Sequence, residues 1–176
     1  TISNAHNGLD IRSSVNISNS VVQLSGNHGV YVKSASTDSI LFQNVRITKC
    51  DDVSFLIDRG NVELNWIDIS KGKSVGLVNN TFGSVLINNL KITDHSDNGI
   101  MNYGHLNASN IFISKNRHGI VLSPGISIIT NAKIVKNRAN GLLIGGGSNG
   151  DMEYCTIEKN GGFGIELSDW SQNDYY

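Results

Sequence analysis

The chain has 176 residues, with 14 Lys and Arg against 15 Asp and Glu, a net charge of -1, 19 Gly, 1 Pro and 2 Cys. That balance excludes a polycationic nucleic-acid binder and a polybasic membrane surface. No apolar run approaches the ~18 residues of a membrane span, and the length suits one domain with its own core.

In chain order, one phrase recurs: a turn residue, usually Gly, then an alternating apolar strand. It reads Gly8-Leu9-Asp10-Ile11, Gly29-Val30-Tyr31-Val32, Asp52-Val53-Ser54-Phe55 and Gly76-Leu77-Val78-Asn79 in the first half. It continues as Gly99-Ile100-Met101-Asn102, Gly119-Ile120-Val121-Leu122, Gly141-Leu142-Leu143-Ile144 and Gly164-Ile165-Glu166-Leu167. Successive turn positions lie 21, 23, 24, 23, 20, 22 and 23 residues apart. A period near ~22 with strand-like units marks a solenoid.

A second aligned segment lies between these phrases. Its third position holds Asn19, Asn44, Trp66, Asn89, Asn110, Asn131 and Tyr154, and three residues on sit Val22, Ile47, Ile69, Ile92, Ile113, Ile134 and Ile157. Stacked at the strand spacing of ~4.8 Å, each column meets its own kind. Ile over Ile makes a dry core, Asn tolerates a left-handed corner and ladders with itself, and Gly opens each strand where a corner needs positive φ or close approach. A second inward column is expected from Leu9, Val30, Val53, Leu77, Ile100, Ile120, Leu142 and Ile165.

The pattern predicts an all-β, single-domain solenoid of about 7-8 coils over residues 1-168, a rod of roughly 35 Å. Residues 169-176 read as a tail, or as a partial cap through Trp170, Tyr175 and Tyr176. The chain opens on Thr1 and shows no amphipathic capping helix, which suggests a piece of something longer. Cys50 and Cys155 stand four or more coils apart, about 20 Å by stacking, beyond the ~7 Å a disulfide spans. Two free thiols are expected. The sequons at Asn16, Asn79 and Asn107 read as products of an Asn-rich composition.

The repeats over residues 99-167, with Ile113-Ser114-Lys115-Asn116-Arg117-His118-Gly119-Ile120 and Ile134-Val135-Lys136-Asn137-Arg138-Ala139-Asn140-Gly141-Leu142, resemble the right-handed parallel β-helix of the pectate-lyase-like superfamily. The resemblance covers nearly the whole chain. It implies a polysaccharide partner, sites on an outer wall or in the loops beside it, and an extracellular or virion-associated setting such as that of a phage tailspike. It does not choose among lyase, hydrolase and adhesin, because one fold hosts many functions.

Two clusters are candidates for chemistry. The first is Asp10, His28, Tyr31, Asp51 and Asp52, read as matching positions in the first three coils. Two coils of separation would set Asp10 and Asp52 roughly 6.5–9.5 Å apart, the spacing of an inverting glycosidase. His28 would add a base and Tyr31 a sugar-stacking platform. The acids and Asn27-His28-Gly29 resemble elements of polygalacturonases, with His28 ahead of the acid pair here. Alternatively, Asp51 and Asp52 only make a turn.

The second cluster is His95, Asp97, Tyr103, His105, Lys115, Arg117 and His118, with Lys115, Arg117 and His118 as candidates to hold an acidic sugar. Its alternative is a solvated polar rim. Together with Lys133, Lys136, Arg138 and Lys159 these cations make a basic flank, fit for an acidic polysaccharide or simply for solubility. No ligand spacing suggests a metal, and no cofactor is implied. Gly145 to Gly150 reads as a flexible corner, since no Lys-Ser/Thr follows it.

Val78, Met101, Val121 and Leu143 fall at the outward position of consecutive coils, so an exposed apolar stripe is expected, with a parallel homotrimer as its partner. Two functions stand side by side: a carbohydrate-binding or polysaccharide-degrading β-helix segment, and a non-catalytic shaft or adhesin stalk.

Overall fold

The computed structural model describes residues 1-168; Trp170, Tyr175 and Tyr176 lie outside them. The chain winds as a right-handed all-β solenoid of about 8 turns with ~22 residues per turn, with no helix among the described residues. The strand ladders are parallel from Ile2–Ser3 at one end to Ile165–Ser168 at the other.

Each coil has three walls. The first wall follows the glycine corner and includes Leu9–Ile11, Val30–Lys33, Ile100–Asn102, Ile120–Leu122 and Leu142–Gly145. The second and third walls are the two halves of longer strands, such as Ser39–Thr48, His105–Ser114 and Ile126–Val135. The bend between the halves falls on Asn19, Asn44, Trp66, Asn89, Asn110, Asn131 and Tyr154, all with φ between 47° and 63°. Asn is the residue that bears this left-handed turn most cheaply, because its short polar side chain bonds locally. Here it bonds its own column: Asn44 Nδ2 donates to Asn19 Oδ1 at 2.7 Å and Asn131 Nδ2 to Asn110 Oδ1 at 2.5 Å.

The third wall closes on another left-handed column, Leu24, Lys49, Lys71, Asp94, Lys115, Lys136 and Lys159, with φ from 54° to 62°. Between the two bends, Val22, Ile47, Ile69, Ile92, Ile113, Ile134 and Ile157 stack in register as expected. The members from Val22 to Ile134 are fully buried.

The first-wall column departs from expectation in the third coil. Val30 pairs with Phe55, not Val53, so Ser54 occupies the glycine position and Asp52 falls two residues earlier, in the corner. The ladder confirms the frame, since Leu9 N–H donates to Gly29 O, Val30 N–H to Ser54 O and Phe55 N–H to Gly76 O. Serine is admitted because left-handed backbone is not required there: among the described glycines only Gly60 and Gly147 have positive φ. The requirement is close approach, as a Cβ on Gly76 would lie 2.6 Å from Gly99 O. Phe55 then meets Phe42 edge-on, 4.9 Å between centroids, inside the core.

The expected apolar stripe is not open. Val78, Val121 and Leu143 are 9%, 3% and 4% exposed and Met101 is half-buried, covered by the chain's own neighbouring side chains. The stripe that suggested a homotrimer is thus mostly buried within one chain. Cys50 and Cys155 are both free.

Candidate functional site

The outward column of the first wall runs Asp10, Tyr31, Leu56. Because the third coil is framed on Ser54, Asp52 is not stacked over Asp10, and the two acids do not form the two-coil pair that the repeat suggested. Asp10 is instead held by Arg12, with Nε at 2.6 Å and Nη2 at 2.9 Å. That bidentate hydrogen bond keeps its carboxyl below the usual range. The same guanidinium sits 5.3 Å over the ring of Tyr31.

A residue that sequence reasoning missed completes this cluster. Asp58 accepts a hydrogen bond from the Tyr31 hydroxyl at 3.4 Å and from Asn80 Nδ2 at 3.3 Å, and pairs with Lys33 Nζ at 3.3 Å. Burial pushes its carboxyl up, but Asn80, Lys33 and Tyr31 together outweigh this and hold it below the ordinary value. Asp58 lies where the register shifts between Ile57 and Arg59, so the repeat gives no sign of it. His28 packs beside Tyr31, 5.8 Å between centroids, and its Nδ1 stands 3.4 Å from Asp52 Oδ2 without hydrogen-bond alignment. Asp51 points elsewhere, to Lys73 Nζ at 2.8 Å.

The chemistry follows from these partners. Glycoside hydrolysis needs one carboxyl that keeps its proton near neutral pH. Asp10 and Asp58 are both stabilised as carboxylates, so neither is suited to be that acid. An aromatic ring rimmed by Arg12, His28, Asp10 and Asp58 is equipped to hold a hydroxyl-rich ligand.

The second cluster is not assembled. His95 is fully buried, with Nε2 3.1 Å from Ser54 Oγ, and burial pushes its pKa down to about 4. Arg117 lies 3.6 Å from Asp97. His118 Nδ1 accepts the Asn140 N–H at 3.2 Å, and burial, with Arg117 beside it, lowers its pKa. Arg138 donates to the carbonyls of His95 and Ser96 at 3.0 and 2.7 Å. These side chains tie the glycine corners together. His105 is exposed on the second wall and Tyr103 lies in the turn before it. Of the three binding candidates here, Lys115 is exposed on the third wall, Arg117 is exposed at the corner and His118 is half-buried.

That third wall holds the groups least visible in the repeat. Its outward column runs Val21, Arg46, Asp68, Lys91, Phe112, Lys133, Thr156. With the corner lysines, Arg46, Lys49, Lys71, Lys91, Lys115, Lys133, Lys136 and Lys159 all belong to this one wall, eight of the chain's 14 Lys and Arg. The acids there are Asp68, Asp94 and Glu158. A shallow depression of about 420 Å³ runs among Lys91, Phe112, Lys115, Lys133, Lys136 and Lys159. A neighbouring one of about 380 Å³, lined by Trp66 and Asn89, shares Lys91 and Phe112. Each residue of the outward column stands one position before the core column of Val22 and the Ile residues, but the outward identities do not repeat.

Among the described residues, no three His, Cys, Asp or Glu gather as a metal site. Residues 7–173 match the family described as a right handed beta helix region. No curated protein and no solved structure matches the chain.

Proposed function

The chain belongs to the right handed beta helix family, and on that footing we propose that it is a carbohydrate-binding solenoid whose first wall holds a sugar at Tyr31. The observation that carries this reading is the ring of Tyr31 set among Arg12, His28, Asp10 and Asp58. Pyranose rings offer an apolar face and a rim of hydroxyls. An aromatic body with flanking carboxylates and donors matches both. The finer reading is a segment like the body of a phage tailspike, working on a polysaccharide outside the cell or on a virion. Asp10, Asp51, Asp52 and His28 are its catalytic candidates.

The test is glycan binding by calorimetry or array, followed by reducing-end release. Binding that Tyr31→Ala weakens about tenfold supports the first-wall site. Hydrolysis lost in Asp10→Asn or Asp52→Asn would add catalysis to it. A second reading, a shaft or stalk, is favoured by the hydrogen-bonded side-chain ladders that tie coil to coil, such as Asn116–Asn137–Asn160. No binding to any glycan of a broad panel would leave that reading in place.

A further inference from the structure

We infer that the third wall is a track for an acidic glycan, its carboxylates held by the lysine rows and its sugar rings laid on Phe112 and Trp66. This rests on the carbohydrate reading but uses a different wall from the one that carries Tyr31. Charge is the first reason. The whole chain has a net charge of -1, yet more than half of its cations are gathered on one wall. Lys91, Lys133, Lys136 and Lys159 are exposed, and among the described residues none of them has an ion-pair partner. Concentrated, uncompensated charge of one sign raises the local concentration of a polyanion.

Pitch is the second reason. Parallel coils present one rung every ~4.8 Å along a straight wall. That is close to the length of one sugar in an extended glycan, so a uronate chain lying along the axis meets about one coil per sugar. Phosphates on one strand of duplex DNA repeat every ~3.4 Å and wind away from a straight line. The third reason is apolar. Phe112 stands in register between Lys91 and Lys133. Trp66, 64% exposed, borders the depression that contains Phe112 and Lys91. Lysines placed only to keep a sheet soluble need no such companions.

The experiment measures binding of the full chain to polygalacturonate, alginate and hyaluronan, with neutral dextran and oligo(dT) as contrasts. The variants are Lys91→Glu with Lys133→Glu, Lys136→Gln with Lys159→Gln, Phe112→Ala, and Tyr31→Ala as the first-wall control. Circular dichroism checks folding, and the two lysine pairs lie on exposed positions, so either keeps the test open if the other misfolds. Expected is binding to at least one acidic glycan that falls with added salt, drops about tenfold in the charge-reversed pair, drops less in the neutralised pair, and survives Tyr31→Ala. Acidic-glycan binding that both lysine pairs leave intact overturns the track. So does oligo(dT) binding as tightly as the glycan. Binding confined to neutral glycans and lost in Tyr31→Ala overturns the track and spares the first-wall reading. No glycan binding of any kind overturns both.

Discussion

The imidazole of His95 reaches back through the solenoid to Ser54, Nε2 to Oγ at 3.1 Å, through space that Gly72 leaves open. A Cβ on Gly72 would lie 2.6 Å from His95 Cδ2 and 2.8 Å from Ser54 Oγ. The Gly72→Ala variant is therefore overpacked, with a ring on one side and a hydroxyl on the other and no room for either to retreat. A loss of ~1–3 kcal/mol is expected, read from the midpoint of urea unfolding. Gly72→Ala with His95→Asn should recover most of it, since the shorter side chain clears the space. An unshifted midpoint in the single variant would refute this account of the glycine.

The same histidine sets an acid limit on stability. Its native pKa is about 4 because burial disfavours the charged ring, against an ordinary value of 6.5. Above pH ~6.5 both native and unfolded forms are neutral, and the group adds no pH dependence. As pH falls from there toward 4, the unfolded chain takes up a proton that the native chain refuses. Stability should drop by up to ~3 kcal/mol across that window and then level off as far as this group is concerned. In His95→Asn the component of the slope between pH 6.5 and 4 should vanish. Denaturant melts at half-unit pH steps compare the two proteins.

The fold was legible because its grammar is columnar. Ile47, Ile69, Ile92, Ile113 and Ile134 announce one buried face at a spacing of 21 to 23 residues, and the Asn column announces one bend. The third coil is ambiguous in the sequence because two signals compete there. Asp52 looks like a turn residue, while Ser54 takes the glycine place only because that place demands smallness, not positive φ. Asp58 was hidden for a related reason, since it sits at an irregularity and a repeat shows only what repeats. Outward residues such as Lys91 and Phe112 vary from coil to coil, so they form no visible column until the backbone stacks them.

Asn137 is the middle rung of a buried ladder at the glycine corners. Its Oδ1 accepts the backbone N–H of Asn116 at 3.0 Å and that residue's Nδ2 at 3.3 Å, while its own Nδ2 donates to Asn160 Oδ1 at 3.0 Å. Asn137→Ala strands a backbone donor away from water and leaves the Asn116 amide only its long contact to Ile92 O at 3.5 Å. The cost of such orphaned groups is ~1–3 kcal/mol each, so a loss near the upper figure is expected. Asn131→Ala, in the exposed ladder, leaves its partners open to solvent and should cost much less. Chemical unfolding of the two variants side by side decides whether burial or mere ladder membership sets the penalty.

Trp66 interrupts the bend column between Asn44 and Asn89 and holds a left-handed φ of 58° that a bulky residue adopts at a cost of ~1–2 kcal/mol. Its ring is 64% exposed, so burial returns little of that cost. Replacing it with the residue of its column should relieve the backbone and give the neighbouring Asn side chains a partner. Trp66→Asn is therefore expected to stabilise the protein by about 0.5–1 kcal/mol, a rise in the thermal midpoint. If the third wall is a glycan track, the same change should weaken binding to acidic glycan several-fold by removing a stacking face, while the lysine rows and the salt dependence stay as they were. A variant that is both more stable and a poorer binder would explain why an unfavourable residue occupies this corner. A variant more stable and equally good at binding would detach Trp66 from the track.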